Sequence, residues 1–176
     1  GWAGMAIDGF LSRSVRDNAT MMDACAGPDA GAPYAAPAME MSYSDAIKHP
    51  PRRLRVGICD TTFTGGEIHP DCKAAVRNAG RVLESLGHSV SPACPKADHD
   101  GMMRAWTKIV ACGTALATRG VPERHSALQG VSRSAIRYAK DISGADYLEA
   151  VGIIHSYGRQ MEAFFAGYDI LLSATL

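Results

Sequence analysis

The sequence carries no excess of charge of either sign, since 18 Lys and Arg residues balance 18 Asp and Glu residues. Without a net positive field, nothing favours nucleic acid or an anionic membrane surface as a partner. No apolar run approaches the roughly 20 residues that cross a bilayer, and no basic stretch leads into an apolar one as in a secretory signal. We therefore expect a globular, cytoplasmic protein without nucleic-acid or membrane partners.

Cysteine is present but follows no recognisable motif. The chain has five cysteines, at positions 25, 59, 72, 94 and 112. The count is odd, the spacing is irregular and no pair has the CxxC spacing of zinc or redox sites. We therefore expect free, buried thiols in a reducing compartment.

Catalytic motifs are equally scarce. No serine lies in a G-x-S-x-G elbow. Ser44 and Lys48 would share a helix face at i, i+4, but a capping serine and a solvated lysine explain the pair as well. The Gly65-Gly66 pair predicts a turn rather than a phosphate loop, because no strand leads through it into a Lys-Ser/Thr helix start. The sequence implies no catalytic residue and no cofactor.

Two polar clusters invite a metal-site interpretation, Asp98-His99-Asp100 and His69-Pro-Asp71-Cys72. Neither has a spaced second half that would supply the remaining ligands. Helix starts explain both clusters, with Asp100 as the expected N-cap of the first. His155 lies beside an apolar helix stripe with no nameable carboxylate partner, so we interpret it as a hydrogen-bonded core histidine.

Hydrophobic periodicity predicts an α/β fold. Residues 54–60 alternate as a strand, Pro70 begins a helix that runs to Leu86, and residues 88–93 form a second strand, so the two strands should be parallel. Ser14, Ser44, Ser132 and Ser143 are expected to cap helices, and residues 100–119 form another helix with Trp106, Ile109, Val110, Gly113 and Leu116 facing inward. The stretch 168–176 reads as a buried core strand.

About three strands are visible, fewer than a sheet covered by several helices usually has. We therefore expect a fragment of a larger α/β domain. Its parts are 1–53 (a helix and a Pro-rich crossing), 54–94 (a βαβ unit), 95–167 (a helical insertion) and 168–176 (a truncated core strand).

Several stretches in matching order resemble the amidase-signature hydrolases. Gly9-Phe-Leu-Ser-Arg-Ser-Val-Arg-Asp17 is similar to the family's Gly-Pro-Leu-Ala-Arg-Ser-Val-Arg-Asp, and it runs into Ala26-Gly-Pro-Asp29. Tyr168-Asp-Ile-Leu-Leu-Ser-Ala-Thr-Leu176 resembles the family's Tyr-Asp-Val-Leu-Leu-Thr-Pro-Thr-Leu. The sequence departs from the pattern at Phe10 and Ala174, each of which stands where the family has proline.

Further resemblance lies at Arg53–Gly57, at His69–Asp71 and at Leu86–His88. Within the family, Gly1-Trp2 and the stretch 31–37 are most similar to the 6-aminohexanoate-cyclic-dimer hydrolase group.

The resemblance implies a parent enzyme that hydrolyses carboxamide C–N bonds of a small-molecule substrate without a metal or organic cofactor. In this family a Ser–cis-Ser–Lys triad and a Gly-rich oxyanion loop carry the reaction. All of them precede the position that matches Gly1, so no catalytic residue is carried over onto this chain. We expect the isolated chain to be inactive and to serve as scaffold and pocket wall.

Trp2 and Trp106 are the candidate substrate-pocket residues. For Trp106, which has Met102 and Met103 beside it, plain helix packing is the alternative. A non-catalytic binding or assembly module that keeps part of the fold is the alternative function. Because missing strands would leave sheet edges exposed, we expect the isolated chain to self-associate.

Overall fold

The computed structural model describes residues 2–34, 37–122 and 126–174. Gly1, residues 35–36 and residues 175–176, which belong to the matched stretches, lie outside the described residues. The elements in chain order are a 3₁₀ turn at Trp2–Gly4, α1 Val15–Cys25, α2 Tyr43–Ala46, β1 Arg55–Cys59, α3 Pro70–Ser85, β2 Ser89–Pro92, α4 His99–Ala117, α5 Gly130–Ala139, α6 Gly144–Phe165 and β3 Ile170–Ser173.

The chain divides into two compact units. The first spans residues 3–52 and contains α1 and α2. Within it, the Asp23 carboxylate of α1 accepts the backbone N–H groups of Tyr43 and Ser44, at 2.6 and 3.0 Å. The side chain of one helix therefore satisfies the free N–H groups at the start of the other.

The second unit contains Trp2 and the chain from Arg53 onward. Its three strands form one parallel sheet in the order β2-β1-β3. Val56 pairs with Val90 on one side and with Ile170 on the other. The expected α/β class and the parallel pairing of β1 with β2 are confirmed. The central strand is the most buried, with Val56 and Cys59 at 0% exposure.

Helix α6 reaches the centre of this sheet at Gly57. A Cβ atom at Gly57 would lie 2.8 Å from Cζ of Phe164 and 3.2 Å from Cδ1 of Tyr168. The two aromatic rings stack on each other with centroids 4.7 Å apart. The missing side chain in β1 therefore makes room for the aromatic end of α6.

Helix α4 packs against both α5 and α6, and the three form a helical layer of this unit. Ile109 is buried as expected, but Trp106 and Leu116 are 40% and 61% exposed and do not face inward. Ala105 and Ala150, at 1% and 0% exposure, take the buried positions instead. Small side chains let helices approach closely, whereas an apolar stripe chosen by residue size selects the large ones.

The helix starts are partly as expected. Ser14 caps α1, and Ser143 forms a reciprocal capping box with Asp146 at the start of α6. The other predicted caps are wrong: α2 is capped by Ser42 rather than Ser44, α4 by Asp98 rather than Asp100, and α5 follows Gln129 rather than Ser132. In each case the N-cap lies two or three residues earlier than predicted.

Candidate functional site

Trp2 lies against helix α4 at the one position where that helix face lacks a side chain. A Cβ atom on Gly113 would overlap the indole Nε1 of Trp2 and would lie 2.9 Å from its Cδ1. The backbone of Trp2 has a positive φ of 51°, a region that residues with a side chain rarely adopt. The indole ring therefore occupies the space that the missing side chain of Gly113 leaves on α4.

An open apolar cavity of about 430 Å³ surrounds this contact. The lining residues come from the start of the chain, from the second half of α4 and from the first turn of α6: Trp2, Cys112, Gly113, Leu116, Ala117 and Tyr147. The Tyr147 ring and the indole are the largest surfaces, so the cavity suits an uncharged, mostly apolar group.

Trp106 is not among the residues that line this cavity. It lies seven residues before Gly113 in α4, which is close to two helical turns, so both positions share one helix face about 10 Å apart. Trp2 and Trp106 are 43% and 40% exposed. The structure thus brings the two candidate residues to the same face of α4 but not into the same cavity.

His99 is buried, at 7% exposure, and both of its ring nitrogens are engaged. Nε2 lies 3.1 Å from the Pro95 carbonyl and Nδ1 lies 2.9 Å from the Tyr157 hydroxyl. Because a carbonyl can only accept, Nε2 donates to it, and Nδ1 shares a hydrogen bond with the Tyr157 hydroxyl. Burial raises the pKa of the Tyr157 hydroxyl. This arrangement holds α4 to α6 and leaves no ring nitrogen for acid–base chemistry.

The carboxylate of Asp60, just after β1, is held by cations of α3. Nε and a terminal nitrogen of Arg77 both lie 2.7 Å from its Oδ2, and the Lys73 ammonium lies 4.0 Å away. Asp60 is therefore a structural link between the end of β1 and α3.

The polar clusters considered as metal sites act at helix starts. Asp98 accepts the N–H of Gly101 at 2.8 Å, and Nδ1 of His69 accepts the N–H of Asp71 at 3.3 Å. Over residues 2–34, 37–122 and 126–174, no group of three His, Cys, Asp or Glu side chains is close enough to hold a metal ion.

Ser44 and Lys48 do not form a nucleophile–base pair. The Lys48 ammonium lies 2.7 Å from Asp45, which raises the pKa of Lys48 and lowers that of Asp45. Ser44 hydrogen-bonds Asp23 instead and so lowers the pKa of that carboxyl. Ser44 is thus engaged with Asp23, and Lys48 with Asp45.

The expectation of five free thiols is wrong for two of them. Cys59 and Cys94 form a disulfide with their Cα atoms 4.9 Å apart, while Cys25, Cys72 and Cys112 are free. Cys25 is exposed, so it is not a buried thiol either. The pair is separated by 35 residues in sequence. Only the adjacency of β1 and β2 in the sheet brings the two sulfurs together, and local cysteine spacing carries no sign of that.

Sequence reasoning also missed Gly113, Cys112 and Tyr147 as lining residues. One signal was available for Gly113: an isolated glycine in a helical pattern is unfavourable and often has a packing reason.

No helix in the described part of the chain is long and apolar enough to cross a membrane.

The family model for amidases matches residues 3–176. This chain belongs to the amidase family.

Among its relatives, the 6-aminohexanoate-cyclic-dimer hydrolase of Pseudomonas sp. (strain NK87) is 30% identical over 186 residues, which cover 99% of this chain and 37% of the relative. The enzyme of the same name from Paenarthrobacter ureafaciens is likewise 30% identical, with the same coverage. The chain therefore spans a little over a third of the length of these relatives.

Solved structures agree. A structure of 6-aminohexanoate cyclic dimer hydrolase complexed with substrate has a TM-score of 0.81 at 28% identity, over 91% of this chain and 35% of that one. A bacterial aryl acylamidase of the amidase signature family has a TM-score of 0.76 at 20% identity, over 92% of this chain and 35% of that one, and shows the shared fold.

Proposed function

We propose that this chain is part of an amidase that hydrolyses carboxamide C–N bonds of small molecules. The observation that carries the proposal is the family match over residues 3–176, together with 30% identity to hydrolases of which this chain spans 37%. The remaining length of such an enzyme leaves room for reactive groups outside this chain.

Under this proposal a Ser–cis-Ser–Lys triad and its oxyanion loop lie upstream of these residues. Lys, acting through the middle Ser, would take the proton from the nucleophilic Ser, and backbone N–H groups would stabilise the oxyanion. This chain supplies no catalytic residue and is inactive alone. Its three-stranded sheet and helical layer serve as scaffold.

We propose that one face of α4 forms part of the substrate-pocket wall, with Trp2 and Trp106 as its aromatic groups. The cavity at Gly113 supports this role for Trp2, because flat aromatic surface next to an apolar helix face fits the methylene or aryl part of an amide. A cyclic dimer of 6-aminohexanoate is the first candidate substrate, since the relatives act on it by name. An aryl acylamide is the second candidate, suggested by the structural likeness to an aryl acylamidase.

The test compares the full-length protein that contains this sequence with the 176-residue chain. Each is incubated with the cyclic dimer and with an acyl anilide, and amine release is measured. We expect amine release from the full-length protein only. Hydrolysis by the isolated chain would contradict the placement of the triad. If the endogenous protein instead has the 18.6 kDa mass of this chain, a binding or assembly module becomes the function to pursue.

Two further proposals concern self-association and cellular location. The outer edges of β2 and β3 have no strand partner among the described residues, and an apolar groove between α3 and β3 is lined by Val76, Ala79 and Leu172. We therefore propose that the isolated chain self-associates. A single monomeric species in sedimentation across a wide concentration range would contradict this. We also propose a cytoplasmic location, which fractionation of source cells tests.

A further inference from the structure

The disulfide joins two neighbouring strands at one edge of the sheet. Cys59 is the last residue of β1, and Cys94 comes two residues after the end of β2. Ile58 pairs with Pro92, and the N–H of Ala93 donates to the Ile58 carbonyl at 2.9 Å. Since carboxyl ends of parallel strands meet at the same edge, the chain trace itself brings the two cysteines together.

The two cysteines differ in their access to solvent. Cys59 is completely buried, at 0% exposure, whereas Cys94 is exposed. Cys94 also lines an open cavity of about 390 Å³, together with Lys96, Gln160 and Tyr168. A thiolate that opens a disulfide must reach one sulfur directly and expel the other. Cys59 is fully buried and blocks such an approach, whereas Cys94 lies on the open cavity.

The surroundings of the pair favour attack from this side. Lys96 is an exposed cation on the lining of the same cavity, so it attracts an anionic thiol. Oγ1 of Thr61 lies 3.8 Å from each of the two sulfurs, so it can donate a hydrogen bond to the Cys59 thiolate once that is released.

We propose that Cys94 is a thiolation site, at which a small anionic thiol opens the Cys59–Cys94 disulfide. The incoming thiolate forms a bond to the Cys94 sulfur while the sulfur–sulfur bond to Cys59 breaks. Cys59 leaves with the electron pair and takes a proton from water. A second thiolate molecule then attacks the small-molecule sulfur of the mixed disulfide, which frees Cys94 and releases the oxidised small-molecule disulfide.

Opening the bond loosens the edge without separating the strands. The backbone ladder between β1 and β2 remains, including the Ala93–Ile58 hydrogen bond. What changes is the tie between the segments that follow the two strands, where Phe63 packs on His99 with ring centroids 5.2 Å apart. A disulfide with one exposed cysteine is of the more readily reduced and reversible kind. This inference does not depend on the proposed amidase activity.

The experiment uses the oxidised full-length protein and reduced glutathione as the probe. Samples are quenched with acid at short times, and free thiols are blocked with N-ethylmaleimide before tandem mass spectrometry, which separates Cys59 from Cys72 on their shared tryptic peptide. We expect the glutathionyl group on Cys94 and the maleimide on Cys59. Glutathionyl on Cys59, or a native protein in which both thiols react with maleimide without any reductant, would overturn the proposal.

A pair of variants makes the comparison quantitative. In Cys59→Ser the lone Cys94 should accept a glutathionyl group from oxidised glutathione at least about tenfold faster than the lone Cys59 does in Cys94→Ser, because access limits the exchange. The exposed thiol of Cys25 serves as an internal standard in both proteins. Equal rates at Cys59 and Cys94 would contradict the proposal. If either variant fails to fold, the mapping on the unsubstituted protein decides.

Discussion

Asp169 and Arg55 are hydrogen-bonded to each other through both backbone and side-chain groups. Oδ2 of Asp169 accepts the backbone N–H of Arg55 at 2.7 Å, and Oδ1 accepts a guanidinium N–H at 3.0 Å. In return, the Arg55 carbonyl accepts the Asp169 N–H at 2.8 Å. The Asp169 side chain is only 11% exposed. This pair precedes the first matched residues of β1 and β3, so it sets the register in which the two strands begin.

Replacing Asp169 with Ala should therefore destabilise the protein. The substitution removes the carboxylate that accepts both the backbone N–H and the guanidinium of Arg55, and we expect a loss of about 1–2 kcal/mol, seen as a lower melting temperature. Asp141→Ala, which removes an exposed carboxylate, is the matched control. Equal melting temperatures for the two variants would show that the pair adds no stability beyond that of an exposed carboxylate.

Gly57 should tolerate no side chain. An added Cβ would lie 2.8 Å from Phe164 and 3.3 Å from Ala93 Cβ, so the α6 aromatic residues must shift, and we expect Gly57→Ala to cost about 1–3 kcal/mol. Gly152→Ala is the counterpart: nothing lies within 4 Å of its added Cβ, and alanine favours a helix interior by about 1 kcal/mol. Thermal unfolding should move in opposite directions for the two variants, and a shift in the same direction would contradict this packing.

The sequence predicts a good part of this fold, for reasons visible in particular residues. The βαβ unit follows from strand alternation, from Pro70 at the first helical position and from the short turn at Gly87, all of which are local signals. The predicted inward faces of the helices were less accurate, because Ala105 and Ala150 are buried by virtue of being small. Periodicity alone cannot tell whether a helix buries its large side chains or the small ones beside them.

The candidate site was harder to predict than the fold. Trp2 is recognisable as a large aromatic residue. Its contact with Gly113, however, joins positions 111 residues apart in sequence, and no spacing rule relates such distant positions. The Cys59–Cys94 bond was missed for the same reason. Both contacts depend on which elements are neighbours in space, which is a property of the folded chain.

A side chain at position 113 should displace the Trp2 indole. An added methyl group overlaps the indole, so in the full-length protein Gly113→Ala should shift the Trp2 fluorescence maximum to longer wavelength, measured as the difference spectrum against Trp2→Phe. Gly158→Ala, which meets nothing within 4 Å, should leave the spectrum unchanged. If Trp2 is part of the pocket wall, the same variant raises KM for the amide more than it lowers kcat. A spectral shift without a change in KM would confirm the contact between Trp2 and Gly113 but exclude Trp2 from the pocket wall.

Trp106 tests the pocket-wall proposal from the other end of the α4 face. Its side chain is 40% exposed, so its removal leaves the α4 core at Ala105 and Ile109 in place. In the full-length enzyme we expect Trp106→Ala to lower kcat/KM for a bulky amide by about tenfold, the equivalent of one aromatic contact of about 1.4 kcal/mol. An unchanged kcat/KM for a bulky amide would exclude Trp106 from the wall, and Trp106→Phe should retain most of the activity if the contact is aromatic.

The capping box of α6 should give stability a specific dependence on acid. Asp146 accepts hydrogen bonds from the Ser143 hydroxyl at 2.5 Å and from the Ser143 N–H at 2.9 Å, and these lower the pKa of its carboxyl below the ordinary value of 3.8. Because the pKa is lowered in the folded state, the ionised Asp146 contributes its full stabilisation above the pKa of the unfolded chain. That stabilisation is lost as the pH falls through the pKa of the folded protein.

The neutral Asp146→Asn variant mimics the protonated side chain. The melting temperature of the unsubstituted protein should therefore exceed that of the variant by a constant amount between about pH 5 and 7, and the difference should shrink as the pH falls below the ordinary carboxyl pKa of 3.8 and through the lowered pKa of the folded state. Asp141→Asn controls for net charge, and a gap that persists at low pH would show that Asp146 acts through shape rather than through its charge.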